Sequence, residues 1–343
     1  MSWTTLLLEW YSTHQRNFPW RETTDPYKVW LSEIILQQTR TQQGLPFYLK
    51  FIGAFPTINK LAQAHETEVL KLWQGLGYYS RARNLLTTAK TIVNEHAGQF
   101  PSNFDELLQL KGVGDYTASA IASICFDQPQ AVVDGNVYRL LSRCFGIDEP
   151  INTSFSFTLF KSKAQQLMDP KQPGNFNQAL MEFGALQCIP KNPNCSQCVF
   201  QSSCYAFQNE KVHTLPVKLK RIKIQKRYFN YLVFLDKTNQ FILEQRFSKG
   251  IWQQLYQFPL WESNKNLKKL PAEAKKKIND AFSWKKWNKT PILHKLSHQE
   301  LHLTFWIAKS EKKHNQGFTH NDLQDYPVPV ALQNFINEFF ENS

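Results

Sequence analysis

The sequence predicts a mostly α protein, in which an all-helical domain precedes a smaller α+β domain. Up to about residue 207, apolar residues recur three and four positions apart, as in Trp30, Ile34 and Ile35, which is the period of an amphipathic helix. From Tyr228 onward the pattern changes to short runs rich in aromatic and β-branched residues, which is typical of strands. A chain of 343 residues is long enough for about two or three domains.

The first helical segment does not have the pattern of a signal or membrane segment. Leu6, Leu7, Trp10 and Tyr11 fall near one face, and no basic stretch leads into a long apolar core. No apolar run approaches the roughly 20 residues that a membrane span needs. We therefore expect a cytoplasmic protein that does not enter a membrane, and we expect a monomer.

The charge balance favours a polyanionic partner. The chain has 40 lysines and arginines against 28 acidic residues, a net charge of +12, and a pI near 9.3. On a chain with 14% aromatic residues, this excess favours nucleic acid as the partner. A basic but inert surface is the alternative.

Two carboxylates stand out in the helical part. Glu33 lies on a segment otherwise made of apolar and amide residues, where a carboxyl group tends to have a raised pKa and to act as a general acid. Asp134 follows an apolar run and precedes a helix, so its plainest role is an N-cap. Without further information, the residues around Glu33 favour an exposed glutamate on an amphipathic helix over a general acid.

Residues 104–124 predict a helical hairpin whose turn contains Gly112 and Gly114. Both glycines permit a tight turn with positive φ, and they leave backbone N–H groups free at the start of the second helix. Such a helix N-terminus is a site where a phosphate group can bind. A single Gly-x-Gly before a helix is weak evidence by itself, because any helical hairpin can use it.

Four of the six cysteines occur within 17 residues, as Cys188-x6-Cys195-x2-Cys198-x5-Cys204. Disulfides are not expected in a reducing cytoplasm. Structural zinc usually takes two tight pairs, whereas this segment has one, so four thiolates around a 4Fe–4S cluster are favoured over zinc. Cys125 and Cys144 are expected to be small buried apolar residues.

The chain after the cysteines divides into a linker and a second domain. Residues 208–227 form a basic linker, expected either to contact phosphates or to be a solvated tether. Strands are predicted over 228–236, 240–247, 252–261 and 302–308. Helices are predicted over 270–282 and 330–340. The predicted domains are therefore 1–207 and 228–343.

The cysteine spacing at the end of a helical domain resembles the iron–sulfur loop of the helix-hairpin-helix DNA glycosylases. LKGVGDYTA, around Gly112 and Gly114, is similar to the hairpin of that family, in which a monovalent cation often helps to hold a DNA phosphate. LSEIILQQT, around Glu33, and VDGNVYRL, which contains Asp134, resemble the segments that carry the catalytic carboxylates of the MutY adenine glycosylases. The resemblance covers nearly the whole chain.

The resemblance implies a role for each of these residues. Glu33 would protonate the adenine, help to expel it and assist the incoming water. Asp134 would stabilise the cationic sugar, and Asn136 would help to order the water. Bifunctional relatives form a Schiff base through a lysine at the position of Tyr116, and a phenol cannot form an imine. The resemblance therefore implies base removal with little or no strand cleavage.

Base removal requires the base to leave the stack. By resemblance, Gln38 and Tyr78 would fill the gap as wedging residues, and Arg21 would line the adenine pocket. In the cysteine loop, Lys191 would approach the DNA backbone.

The second domain resembles a Nudix fold kept for binding. A Nudix box needs clustered glutamates for Mg²⁺, but the corresponding stretch has only Glu273 and Asp280 among many lysines. In adenine glycosylases such a domain reads 8-oxoguanine through a Phe-Ser-His loop. Ser297 and His298 match that loop, and Leu296 replaces the aromatic residue, which loses a stacking contact. An ordinary turn at a strand end is the alternative.

The resulting hypothesis is a monofunctional glycosylase that removes adenine opposite 8-oxoguanine or guanine in double-stranded DNA. Two rival hypotheses are an endonuclease III-like glycosylase/lyase on oxidised pyrimidines and a non-enzymatic iron–sulfur DNA sensor. Tyr116 and the second domain argue against the first rival. The presence of both Glu33 and Asp134 argues against the second.

Overall fold

In a computed structural model, the chain folds into two compact units, and the structure describes residues 1–219, 224–276 and 284–341. Unit 1 comprises Met1–Gln63 and Asn84–Lys220, and unit 2 comprises Ala64–Arg83 and Arg221–Ser343. The predicted helical part followed by a smaller sheet-containing part is confirmed. No helix of the described residues is both long and apolar enough to cross a membrane.

Helices make up unit 1, and their ends follow local signals. The N-caps Ser2, Asp25, Asn103, Asp134 and Thr153 each accept a hydrogen bond from a backbone N–H of the helix that follows. The helices are α1 (Trp3–His14), α2 (Pro26–Leu36), α3 (Thr41–Ala54), α4 (Ile58–Gln63), α6 (Ser80–Glu95, shared with unit 2), α7 (Phe104–Gln109), α8 (Asp115–Phe126), α9 (Gly135–Phe145), α10 (Ser154–Leu167), α11 (Pro173–Leu186) and α12 (Tyr205–Gln208).

The core of unit 1 surrounds the predicted functional segments. Helix α1 contributes Leu7, α9 contributes Leu140, and α11 contributes Leu180 and Phe183, all of which are fully buried. Helix α2 is buried from Val29 to Ile35 without interruption. A helix with an apolar surface on all sides belongs inside a domain. The carboxyl group of Glu33 is therefore carried into the interior rather than to the surface.

Unit 2 contains a five-stranded sheet in the order β4-β1-β7-β5, with β6 also paired to β7. The long strands β1 (Gln225–Leu235) and β7 (Gln299–Lys309) are parallel and central, and their buried positions form nearly continuous apolar runs. The other elements are α5 (Glu66–Leu72), β2 (Glu244–Gln245), β3 (Tyr256–Gln257), β4 (Leu260–Ser263), α13 (Ala272–Lys275), β5 (Lys285–Lys286), β6 (Ile292–Lys295) and α14 (Val330–Glu341).

The strand predictions for unit 2 were only partly right. In the runs 240–247 and 252–261, only β2, β3 and the start of β4 form strands, and in the second run Trp252 and Gln254 adopt left-handed conformations with φ of 58° and 68°. The strands β5 and β6 were missed, since they are only two and four residues long, and β5 consists of two lysines, which have low β propensity. Part of the predicted helix 270–282, including Asp280, lies outside the described residues.

Residues 64–83 belong to unit 2, which differs from the predicted domain 1–207. Lys71 on α5 donates to the carbonyl groups of Leu323 at 2.7 Å and Tyr326 at 3.0 Å. Gln74 Oε1 accepts from the Val328 N–H at 3.4 Å. Composition could not indicate this, because the segment is as helical as its neighbours and its partners lie about 250 residues away.

Part of the predicted linker is not a solvated tether. Arg143 Nε donates to Leu215 O at 3.1 Å, Ile151 N donates to Val217 O at 3.0 Å, and Leu219 N donates to Asn152 Oδ1 at 2.9 Å. These bonds fasten the chain to unit 1 as far as Leu219.

Candidate active site

A cavity of about 620 Å³ opens in unit 1 and brings together six of the predicted site residues of this unit. A volume of that size lies in the range of ordinary ligand sites. The predicted residues that line it are Arg21, Glu33, Gln38, Tyr116, Asp134 and Asn136. They come from α2 and the segments next to it, from α8 and from the start of α9, so only the fold brings them together.

Glu33 is the buried carboxyl group of this cavity, with 9% of its surface exposed. Burial raises its pKa from the ordinary value of 4.5 to about 7, and the nearby charge of Asp134 adds to the rise. The hydrogen bond from Tyr116 and the charge of Arg21 oppose the rise. A carboxyl group with such a pKa carries a proton in a substantial fraction of molecules near neutral pH, as a general acid requires.

Tyr116, on α8, lines the same cavity as Glu33. Its hydroxyl group is 3.0 Å from the Met181 sulfur and hydrogen-bonds the Glu33 carboxyl. Burial, together with the charges of Glu33 and Asp134, raises the pKa of Tyr116 well above 10 and keeps the phenol neutral. Among the described residues that line the cavity, none is a lysine.

Asp134 is the N-cap of α9, as its sequence position predicted, and it also faces the cavity. Its Oδ1 accepts from the backbone N–H groups of Asn136 and Val137, each at 2.8 Å, and its Oδ2 accepts from Asn136 Nδ2 at 2.9 Å. Burial raises the pKa of Asp134, whereas these three donors lower it. The net effect is a pKa of Asp134 above its ordinary 3.8, while the three N–H donors stabilise its ionised form, whereas Glu33 has one hydroxyl partner.

Asn136 joins Asp134 to Arg139. Its amide Nδ2 donates to Asp134, and its Oδ1 accepts from Arg139 Nη2 at 2.8 Å. Arg139 Nε in turn donates to the carbonyl oxygen of Cys188 at 2.7 Å. The side-chain amide of Asn136, which was predicted to help order a water, therefore has one protein hydrogen-bond partner on its nitrogen and one on its oxygen.

An ion-pair network in the wall of the cavity has no signal in the sequence. Arg16 and Arg21 both bind Glu182, which is 1% exposed, with Arg16 Nη2 at 2.7 Å and Arg21 Nη2 at 2.8 Å from Oε2. Burial alone would raise the pKa of Glu182, but the hydrogen bonds and charges of the two arginines lower it to about 2. The paired carboxylate fixes Arg21 against the cavity wall. No local sequence signal connects residues about 160 positions apart.

Replacement of this carboxylate is expected to destabilise unit 1. In Glu182→Gln, two guanidinium groups lose their buried counter-charge, which costs about 3 kcal/mol, the low end for a buried pair because Arg16 is 35% exposed. Denaturant unfolding measures this loss.

A folded-state pKa lowered from 4.5 to about 2 contributes stability above pH 4.5 that disappears as the pH falls to about 2. The free energies of unfolding of wild type and Glu182→Gln should therefore become similar as the pH falls to about 2. The exposed Glu9→Gln is the control, and equal stability of both variants at pH 7 would contradict the expectation.

The hairpin turn between α7 and α8 needs glycine at only one of its two positions. Gly112 has φ of 79°, and a Cβ there would lie 2.8 Å from Asn84 Cβ. Gly114 is extended, with φ of −96° and ψ of 178°, so the expectation of positive φ at Gly114 was wrong. A Cβ at Gly114 would meet nothing within 4 Å, and the residue is exposed. Gly114 is the N-cap of α8 and leaves the helix N-terminus accessible.

Both predicted wedging residues have a left-handed backbone and an exposed position. Gln38, just after α2, has φ of 56°, and Tyr78, before α6, has φ of 47° and is 47% exposed. A side chain with a Cβ pays roughly 1–2 kcal/mol for this conformation. Such strain commonly occurs at functional positions.

In unit 2, Tyr78 lies beside the predicted recognition turn. Its hydroxyl group hydrogen-bonds the Ser297 hydroxyl, although the two residues are 219 positions apart. The turn joins β6 to β7 and is closed by a bond from Leu296 N to Gln299 O at 2.8 Å. Ser297 and His298 are both exposed at its tip. Hydroxyl and imidazole groups on a rigid turn are suited to hydrogen-bonding a base edge.

The four clustered cysteines of unit 1 line one small enclosed cavity, and none of them forms a disulfide. Arg143 Nη1 donates to Cys188 Sγ at 3.4 Å, and backbone N–H groups of Ala206 and Phe207 face the Cys204 thiol. Guanidinium and N–H donors stabilise thiolates. The donor set therefore suits a group held by four thiolates. Within the described ranges, no cluster of histidine, cysteine or acidic residues is arranged to hold a single metal ion.

The two remaining cysteines differ in their surroundings. Cys144 is 8% exposed and its thiol contacts Cys204, so it lies beside the cluster loop as well as in the core. Cys125 is half-buried on α8. Lys191 is exposed.

Two family models match the chain. Residues 31–163 match the HhH-GPD superfamily of base excision DNA repair proteins, and residues 230–338 match the NUDIX domain. The first match spans Glu33, the hairpin and Asp134. The second spans the sheet of unit 2 and the Ser297 turn.

Relatives of known function align over most of the chain. An adenine DNA glycosylase from Buchnera aphidicola subsp. Schizaphis graminum is 34% identical over 350 residues, covering 97% of this chain and 97% of that protein. Another, from Buchnera aphidicola subsp. Baizongia pistaciae, is 35% identical and covers 88% and 83%. The adenine DNA glycosylase of Homo sapiens is 46% identical over 212 residues, covering 59% of this chain and 39% of the human protein.

Solved structures of DNA glycosylases share the fold of the helical part. A thermostable thymine-DNA glycosylase superposes with a TM-score of 0.56 at 29% identity, over 60% of this chain and 95% of that one. Endonuclease III in a non-covalent DNA complex superposes with a TM-score of 0.53 at 17% identity, over 60% and 94%, and this likeness concerns the fold alone.

Proposed function

The chain belongs to the adenine DNA glycosylase family, and from this premise we propose that it hydrolyses the N-glycosidic bond of adenine mispaired with 8-oxoguanine or guanine in double-stranded DNA. The observation that carries the proposal is the meeting of Glu33, Tyr116 and Asp134 at one cavity, with the pKa of Glu33 raised to about 7. The relatives carry the name adenine DNA glycosylase, and the Ser297 turn supports recognition of the base opposite the adenine.

The reaction uses the different surroundings of the two carboxyl groups. The adenine leaves the stack and enters the cavity, where protonated Glu33 donates its proton to a ring nitrogen as the bond from the sugar to the base breaks. The bonding electron pair leaves with the base. The positive charge that develops on the sugar lies near ionised Asp134, which its three N–H donors hold in place. Glu33, now ionised, accepts a proton from the water that attacks the sugar.

Tyr116 supports base removal without strand cleavage. A lyase reaction proceeds through an imine between an amine and the opened sugar. The hydroxyl group of Tyr116 is engaged with Glu33 and Met181, and a phenol supplies no amine. The enzyme is therefore proposed to be monofunctional.

We further propose that Cys188, Cys195, Cys198 and Cys204 hold a 4Fe–4S cluster. The shared cavity of their thiol groups and the Arg143 donor support this assignment. When bound, such a cluster would supply four metal–thiolate links that fold the loop 188–204 onto α9. The side chains of Arg139 and Arg143 join that loop to the helix that begins at Asp134.

The substrate assignment predicts a specific pattern of product release. Duplexes with adenine opposite 8-oxoguanine, adenine opposite guanine, and thymine glycol are incubated with the enzyme and treated with alkali. We expect strand breaks at adenine in the first two duplexes and no reaction at thymine glycol. Borohydride added with abasic DNA should trap little covalent adduct. Cleavage at thymine glycol alone, or efficient trapping, would show that the chain is a lyase on oxidised pyrimidines.

A further inference from the structure

The sheet of unit 2 ends in two edges that differ in charge. On one side, β4 carries Glu262, which Arg227 of β1 binds through both carboxylate oxygens at 2.6 and 2.7 Å. On the other side, β5 and β6 lie along β7, and this stretch of 284–295 is called the lysine edge below. The sequence from 284 to 299 contains four lysines, two histidines and no acidic residue.

The lysine edge follows β7 for most of its length. Lys295 pairs with Glu300 in the β6 ladder, and Lys285 pairs with Ile307 in the β5 ladder. Between the ladders, Asn288 Nδ2 donates to Leu303 O at 3.0 Å. Counted along β7, these two register positions are seven residues apart. At about 3.3 Å per residue, the lysine edge is therefore roughly 23 Å long.

Three lysines of the lysine edge have side chains exposed to solvent. Lys285, Lys289 and Lys295 are exposed, and none forms an ion pair with any other residue that the structure describes. Glu300, the register partner of Lys295, is hydrogen-bonded instead by His302 at 3.0 Å. The fourth lysine differs, because Lys286 donates to Leu267 O at 3.3 Å and lies over the Trp306 ring.

We propose that the lysine edge binds the phosphate backbone of the DNA duplex on one flank of the base read by the Ser297 turn. The inference rests on the proposed function, since it places the duplex at that turn. Lys295 directly precedes Leu296-Ser297-His298, so the row of charges begins at the recognition turn and extends away from it. One DNA strand carries a phosphate every 3.4 Å along the axis, so roughly 23 Å corresponds to about seven phosphates.

Lysines on an edge strand also prevent sheets from pairing with each other. That need applies to both edges of this sheet, yet β4 carries a glutamate that is neutralised by Arg227. The absence of acidic residues through the recognition turn is not required for edge protection. It is what binding to a polyanion requires.

The test uses two triple variants of the full-length protein with equal charge change. Lys285→Gln, Lys289→Gln and Lys295→Gln are combined in one. Its matched control replaces three exposed lysines of unit 2 that lie off the edge, namely Lys237, Lys249 and Lys313, by glutamine. Binding to a duplex that holds 8-oxoguanine opposite a non-hydrolysable adenine analogue is measured by fluorescence anisotropy between about 50 and 200 mM salt.

We expect the slope of log K against log salt to become shallower by about 2 to 3 in the edge variant, because each lost phosphate contact accounts for about 0.9. The control variant should change by less than about 1. Shortening the duplex to fewer than about seven base pairs on one flank should weaken DNA binding by wild type and leave DNA binding by the edge variant unchanged. Lysine-to-arginine replacement at the same three positions should restore the slope, and thermal unfolding checks the fold of each variant.

Equal slopes for the edge variant and the control would overturn the inference and leave edge protection as the role of these lysines. Adenine release by wild type is measured separately. If wild type releases adenine and the slopes are equal, only the inference fails. If wild type releases no adenine but the edge variant loses salt dependence, the proposed function fails and the lysine edge stands as a DNA-binding surface.

Discussion

Glu33→Gln is expected to slow adenine release by about 10²- to 10⁴-fold, because the amide cannot give the proton that the leaving base needs. The wild-type rate should be high below pH 7 and fall as the pH rises through about 7, the raised pKa of Glu33. The variant should lose this fall. Single-turnover release of adenine from an adenine:8-oxoguanine duplex at several pH values measures both effects.

The same replacement is expected to stabilise the fold at alkaline pH. A carboxyl group whose pKa rises from 4.5 to about 7 on folding contributes its full stability below pH 4.5 and loses it as the pH rises to about 7. The penalty avoided by the amide at pH 8 is on the order of 3 kcal/mol, at about 1.4 kcal/mol for each pKa unit. If the inactive variant unfolds at a higher denaturant concentration than wild type at pH 8, misfolding is excluded as the cause of its lost activity. Activity within tenfold of wild type would contradict the role given to Glu33, and the exposed Glu95→Gln is the matched control.

Cys198→Ser is expected to give a colourless protein that binds little iron and unfolds at lower temperature. Without the cluster, the loop 188–204 is released, and Arg143, which is 3% exposed, loses its partners Cys188, Ile189 and Pro190. The buried charge of Arg143 then keeps only its bond to Leu215 O, and a loss of about 3–5 kcal/mol lowers the melting temperature of a unit of this size by roughly 6–20 °C.

Iron analysis, visible absorption and calorimetry measure these losses. Cys125→Ser, on α8, should keep the colour and the iron content of wild type. Zinc in place of iron in a colourless wild-type protein would contradict the cluster assignment. Retention of full iron content in Cys198→Ser would remove that cysteine from the ligand set.

The sequence could predict those parts of the site that depend on neighbouring residues. The cap at Asp134, the turn at Gly112 and the four cysteines within one loop follow from local geometry and spacing, and the structure agrees in each place. Gly114 was judged wrongly because a Gly-x-Gly turn gives no indication of which glycine takes the positive φ. The short strands β5 and β6 were missed because their pairing with β7, rather than a pattern within their two and four residues, makes them extended.

By itself, then, the sequence determined the order of a helical and a sheet-containing part, the cysteine loop and the candidate carboxylates, since periodicity, capping and spacing act over a few residues. Only the tertiary structure decided that α2 is buried, and burial is what raises the pKa of Glu33. It also decided that Glu182 holds Arg21 and that Tyr78 meets Ser297. The Arg21–Glu182 ion pair and the Tyr78–Ser297 hydrogen bond join residues 161 and 219 positions apart, and the burial of α2 depends on helices elsewhere in the chain, so no local pattern contains these effects.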